Sequence, residues 1–278
     1  NYMNIIGGQM LLNENTTIGE IINSKEYGEF AEYIFTYMTP DHFDSKLNEY
    51  GFYKCGFVEG FKRIKELIDL NQNYIYNIYP ESEISREWDK KDAKYIYFPN
   101  KSGKKKPYVM VIPGGGFNRQ WGFIEGLSIA ARLNELDYPA FVLFYRVKQE
   151  PLLPKPVEDM ARALKDIESK AEFFNVESGK YMIGGFSAGA VIAGLIGSDN
   201  YGYSILGLQK PDAIFLGYSP VSYDEFFTAY NDKNQSPEIK NACAQFLRKI
   251  GGVNFTAESL NEFDLSKHIN ESYPPVSL

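Results

Sequence analysis

The chain has 278 residues, 44% hydrophobic and 23% charged, which is ordinary globular usage and enough chain for a sizeable core in one large or two small domains. A net charge of −7 argues against nucleic acid and anionic membrane surfaces as main partners, leaving small neutral or cationic molecules. With only Cys55, Cys243, His42 and His268 available, the chain has too few residues for a disulfide framework and is a poor source of a zinc or iron cluster; both thiols read as free, a single bridge being the lesser alternative.

Residues 1–73 read as a helical segment. The start, Asn1-Tyr2-Met3-Asn4, lacks the basic region and apolar core of a signal peptide, and no run approaches the length of a membrane span. The expectation is a cytoplasmic protein, or a secreted one whose signal was removed ahead of Asn1. Thr17 is placed to cap a helix through Ile22, with Glu20 completing a capping box. A second segment runs from Glu29 to Met38 and stops at Thr39-Pro40. Phe57, Val58, Phe61, Ile64, Leu67 and Ile68 recur at spacings of three and four, one apolar helix face. The segment reads as a structural addition and a candidate for contacts in a homo-oligomer; a cap over the site is the lesser reading.

From Tyr74 the pattern changes, and residues 74–278 form the second unit. Residues 74–79 and 95–98 alternate like strands. Strand and helix then alternate: Tyr108 to Ile112, a helix from about Trp121 to Leu136, Ala140 to Tyr145, a helix from about Val157 to Phe174, and a strand leading to Phe186. This order predicts an α/β fold with a mostly parallel sheet and helices on both faces. Ala213 to Tyr218 is the next strand, residues 223–265 a polar, helical excursion, and residues 273–278 the opening of one more strand.

Two motifs carry chemistry. Gly185-Phe186-Ser187-Ala188-Gly189 stands between a strand and an apolar helix, the setting in which G-x-S-x-G makes a sharp turn that lifts the serine hydroxyl above the strand end. Ser187 is then the nucleophile, and the Ala188 N–H one donor to an oxyanion. Gly114-Gly115-Gly116-Phe117 follows the strand ending at Pro113, and Gly115 or Gly116 would supply the other donor. A phosphate loop would want G-K-[ST] or G-x-G-x-x-G, and neither is present. Phe117, Phe186 and Tyr218 are the candidates for the substrate pocket.

The run Ile112 to Phe117, Phe144-Tyr145-Arg146-Val147, the stretch Pro154 to Leu164 with Asp159, and Gly184 to Gly189 resemble the bacterial α/β-hydrolase esterases of the acetylesterase and acetyl-xylan esterase group, relatives of hormone-sensitive lipase. The resemblance covers residues 74–278. It implies the α/β-hydrolase fold and serine-dependent hydrolysis of small carboxylic esters, often acetyl groups on sugars, with no metal or cofactor. In such proteins Pro113 is usually a histidine. By the same resemblance the strand preceding the catalytic acid starts at Pro274-Pro275, and the sequence stops at Leu278. The acid and histidine of a triad therefore have no counterpart here, and the expectation is a chain lacking the part that carries them, or a protein that does without that triad. His268 alone follows Ser187, in a connecting segment poorly placed for a base, and His42 reads as structural. Asp212, Asp224 and Asp264 read as a turn residue, a helix cap and a cap. The alternative to an esterase is a non-catalytic hydrolase-fold protein that binds carbohydrate or another partner.

Overall fold

The structure, a computed structural model, describes residues 5–6, 9–10, 12–34, 40–50, 57–70 and 72–278. Cys55, the first four residues and the end of the segment expected over 29–38 lie outside the described residues. A short antiparallel pair, β1 (Ile5–Ile6) and β2 (Gln9–Met10), precedes three helices: α1 (Ile18–Asn23), α2 (Phe30–Ile34) and α3 (Phe57–Asp69). The capping box at the start of α1 forms as its residues demand, Thr17 Oγ1 accepting from the Glu20 amide while the Glu20 carboxylate accepts from the Thr17 amide.

After α3 come β3 (Ile75–Asn77), α4 (Glu81–Ile84), β4 (Lys94–Phe98), β5 (Lys106–Ile112), α5 (Ser128–Glu135), β6 (Ala140–Phe144), α6 (Lys155–Ser169), β7 (Val176–Phe186), α7 (Ala188–Leu195) and β8 (Ala213–Gly217). Then α8 (Asp224–Asn231), α9 (Pro237–Gly251) and α10 (Ala257–Asn261) precede β9 (Val276–Ser277). The main sheet has the order β3-β4-β6-β5-β7-β8-β9. From β6 to β9 every pairing is parallel, while β3 and β4 run antiparallel at one side. All of β6 is buried, its apolar residues covered on both faces, while β7 and β8 alternate and leave Met182 and Phe215 exposed.

The connection β5–α5–β6 moves one way along the sheet, and β6–α6–β7 moves back past β5. Right-handed crossovers then put α5 on one face and α6 on the other. Neighbouring strands whose connections leave in opposite directions open a crevice at their carboxyl ends, here between β5 and β7. Both chemical motifs sit at that crevice.

The core does not stop at the N-terminal helices. Phe61, Ile64 and Leu67 of α3 are fully buried in the same cluster as the sheet. Phe61 stacks on Phe123 with ring centroids 4.2 Å apart, and Tyr33 meets Phe144 edge-on at 4.9 Å. Buried Arg63 reaches Asn134 Oδ1 at 2.8 Å and the Pro99 carbonyl at 2.7 Å. Among the described residues no helix is long and apolar enough to cross a membrane.

Two expectations need correcting. Asp224 is not a helix cap: Tyr223 occupies that position and Asp224 is the first residue of α8. The helix expected from about 121 to 136 opens with a π-turn over Phe123–Leu127, in which the Leu127 amide bonds back to the Gly122 carbonyl at 2.8 Å. Asp264 does act as a cap, accepting from the Ser266 amide, and Cys243 is a buried free thiol on α9.

Candidate active site

Ser187 stands between the last residue of β7 and the first of α7, with φ 49° and ψ −119°. For a residue with a side chain this backbone is sparsely populated, at a cost of order 1–3 kcal/mol, so the surroundings must impose it. They do so by contact. A Cβ on Gly185 would lie 2.3 Å from the Gly189 carbonyl oxygen, and one on Gly189 would lie 2.2 Å from that of Ile112. Only glycine at both positions lets α7 start this close to β7 and β5. The Ser187 amide donates to the Gly217 carbonyl at 2.9 Å, which ties the turn to β8 as well.

The loop after β5 meets this turn directly. Ile112 pairs with Gly185, so the two strands end side by side. A Cβ on Gly114 would come within 2.4 Å of the Phe186 carbonyl oxygen and 2.8 Å of Ser187 Cβ. Gly115, Gly116 and Phe117 then take φ values of 137°, 62° and 59°. The Gly115 and Gly116 N–H groups donate to nothing among the described residues, and the Ala188 N–H heads α7, where no preceding turn can accept it. Ser187, Gly115, Gly116 and Ala188 thus belong to two turns in contact.

The three aromatic candidates separate. Phe186 and Tyr218 flank the serine turn, their ring centroids 6.1 Å apart, and Tyr218 is 66% exposed. Phe117 is instead fully buried, because its left-handed backbone turns the side chain inward to stack on Phe246 of α9 at 5.8 Å. It supports the loop from beneath rather than lining an open pocket. A cavity of 1100 Å³ opens just past the loop, lined by Tyr33, Asn118, Arg119, Phe144 and Tyr145 among others.

His268 is remote from the serine along α7. Its Nδ1 faces Asp199 Oδ1 at 2.9 Å and its Nε2 faces the Asn261 carbonyl at 2.9 Å. Asp199 lies beyond the C-terminus of α7, and a helix of this length spans about 12 Å, with Ser187 at its other end. Asn200 Nδ2 also stands 3.4 Å from Nε2, so both ring nitrogens are engaged at the far end of α7, away from Ser187. His42 is exposed, in the short turn Pro40–His42. Among the described residues no His, Cys, Asp and Glu cluster could hold a metal ion.

One residue at the site went unread in the sequence. Glu125 accepts from the Gly114 amide at 2.7 Å through Oε2, and from the Tyr218 hydroxyl through Oε1. Burial of that hydroxyl end, then the Glu125 carboxylate, raise the Tyr218 pKa well above the ordinary tyrosine range. Inside an expected helix Glu125 carries no signal; the π-turn is what aims it.

A serine on a strained strand-to-helix turn, beside a glycine loop at the crevice of a mostly parallel sheet, defines an α/β-hydrolase. Residues 95–243 match the BD-FAE family, and the chain belongs to it. It is also similar to endo-1,4-beta-xylanase B of Butyrivibrio fibrisolvens, 28% identical over 215 residues that make up 72% of this chain. The match spans 30% of that relative's length. Among solved structures it resembles an acetyl ester-xyloside bifunctional hydrolase from Caldicellulosiruptor lactoaceticus, with a TM-score of 0.55 and 23% identity over 73% of this chain and 72% of the other. Esterase B of Lactobacillus rhamnosis gives a TM-score of 0.55 at 15% identity over 73% and 63% of the two chains. Family and fold thus place the protein in the BD-FAE family with an α/β-hydrolase fold.

Proposed function

We propose that the protein is a carboxylic ester hydrolase that removes small acyl groups, acetyl first among them, from carbohydrate esters through an acyl-enzyme on Ser187. The carrying observation is the strained backbone of Ser187, held against a glycine loop with two uncommitted N–H groups. In this reading Ser187 Oγ attacks the ester carbonyl, and the N–H groups of Ala188 and of Gly115 or Gly116 receive the oxyanion. The alcohol departs with a proton, and water then cleaves the acyl-enzyme to release the acid and restore the serine. Such donors are worth about 3–4 kcal/mol each when preorganised. Phe186 and Tyr218 flank the acyl group. The names of the xylanase and of the acetyl ester-xyloside hydrolase favour an acetylated xylose-containing alcohol.

One observation favours a second reading. Ser187 Oγ has no hydrogen-bond partner among the described residues, and His268 is engaged elsewhere. A serine without a base is a weak nucleophile, and the hydrolase fold would then serve binding alone. A fluorophosphonate probe separates the two: labelling that disappears in Ser187→Ala, with acetate released from acetylated xylo-oligosaccharides, supports the esterase, and an unlabelled chain that still binds the oligosaccharide supports the second.

A further inference from the structure

The Gly114 amide donates to Glu125 Oε2 at 2.7 Å, and the Gly114 carbonyl accepts from the Trp121 amide at 3.0 Å. The Gly115 carbonyl accepts from the amides of Asn118 and Arg119 at 3.2 and 3.3 Å, and the Gly116 carbonyl from Asn118 Nδ2 at 3.2 Å. What remains uncommitted among the described residues is the pair of N–H groups of Gly115 and Gly116. A loop with three successive left-handed φ values does not hold itself in one conformation, since glycine has many others open to it. It needs anchors. The rear anchor is the Phe117 ring, stacked on Phe246. The front anchor is Glu125, the only side chain bonded to an amide of these glycines among the described residues.

We propose that Glu125 is a positioning residue for the oxyanion loop: its carboxylate grips the Gly114 amide with one oxygen and the Tyr218 hydroxyl with the other, so that the Gly115 and Gly116 N–H groups stay free and fixed beside Ser187. This rests on the esterase reading above. The two grips join the loops after β5 and β8 across the serine turn. The fit is close: a Cβ on Gly114 would meet Glu125 Oε2 at 2.9 Å and Ser187 Cβ at 2.8 Å, so carboxylate and serine flank the same backbone atom. Tyr218 holds a left-handed backbone, φ 40°, although its ring is largely exposed, as expected of a residue bound by its far end. The carboxylate makes no hydrogen bond to Ser187 Oγ; its two oxygens face the Gly114 amide and the Tyr218 hydroxyl, which fits a holding role.

The test uses the full chain with Glu125→Ala, Glu125→Gln and Tyr218→Phe, following amide hydrogen exchange over residues 113–118 together with kcat and KM on p-nitrophenyl acetate. Glu125→Ala is expected to speed exchange at the Gly114 amide on the order of ten-fold or more. It should also lower kcat on the order of 100-fold while KM stays within about two-fold, since the loss falls on the transition state. Glu125→Gln presents an oxygen to Gly114 and an amide to the tyrosine oxygen, and should restore wild-type protection and most of kcat. Tyr218→Phe should keep the Gly114 protection. Unchanged exchange in Glu125→Ala, raised exchange with unchanged kcat, or no rescue by Glu125→Gln each overturns the proposal. Should Glu125→Ala fail to fold, the Glu125→Gln result decides by itself. A wild-type chain without turnover or labelling sinks the esterase reading instead, and exchange at Gly114 still decides whether Glu125 holds the loop.

Discussion

The guanidinium of Arg146 and the carboxylate of Asp159 meet 2.8 Å apart in the interior, the two side chains 1% and 0% exposed. The Tyr79 hydroxyl and the Arg146 amide also donate to the carboxylate, at 2.7 and 2.9 Å, so the segment after β6, the first turns of α6 and the segment after β3 converge on one ion pair. Burial alone would push the Asp159 carboxyl up, and Arg146 opposes it. Breaking the pair strands a charge. Arg146→Met is expected to cost about 3–5 kcal/mol in urea unfolding, and adding Asp159→Leu should return much of it. A double variant no more stable than Arg146→Met would contradict this account.

The serine turn should trade stability against chemistry. Ser187→Gly removes a side chain from a backbone that glycine adopts freely, and should be more stable than Ser187→Ala by about 1 kcal/mol or more, while neither labels with a fluorophosphonate. Equal melting temperatures would show that the φ of 49° carries no strain.

Glycine positions should differ by mechanism. Gly189→Ala places a Cβ against the carbonyl oxygens of Ile112 and Pro113, at 2.2 and 2.6 Å, and backbone cannot move aside as a side chain would. A loss of about 3 kcal/mol or more is expected, at the upper end of overpacking. Gly116→Ala has open space and only its φ of 62° to resist it, so about 1–2 kcal/mol is expected. Chemical denaturation of the two variants distinguishes clash from conformation.

Asp137 gives an acid-side signature. The hydrogen bond from Lys106, followed by those from the Ser102 backbone and side chain, holds its carboxyl down at about 2, against an ordinary 3.8. A carboxyl lowered in the folded state stabilises above its unfolded value, and the contribution is lost as pH falls through the folded value. Asp137→Asn, which tolerates the left-handed backbone there, should therefore melt below wild type at pH 6 and converge with it near pH 2. A difference that persists at pH 2 would assign the effect to something other than the charge.

Much of this site was legible because its parts are local. Thr17 and Glu20 announce their helix in four residues, and Gly185, Ser187 and Gly189 announce a turn by their spacing alone, although the clearance at Gly189 is set by the distant carbonyls of Ile112 and Pro113. Glu125 was not legible, since its role depends on a π-turn set by tertiary contacts: a Cβ on Gly122 would meet the Tyr33 carbonyl at 2.3 Å, and one on Gly126 the Val142 side chain at 2.7 Å. Phe117 misled for a related reason. A phenylalanine after three glycines suggests a pocket wall, and only the position of Phe246, far along the chain, shows that its ring points the other way.

Phe61 presses on Phe123 within the same π-turn that carries Glu125, and Gly60 lies so close that a Cβ there would sit 3.2 Å from the Phe123 ring and 3.3 Å from Ser128 Cα. The helix ahead of the sheet is therefore a mould for the glycine loop beside Ser187. Grafting residues 74–278 behind a foreign leader segment would carry every motif across intact and still leave Glu125 unbraced. Variation in α3 would thus reshape the glycine loop from behind without altering any residue of the two turns themselves.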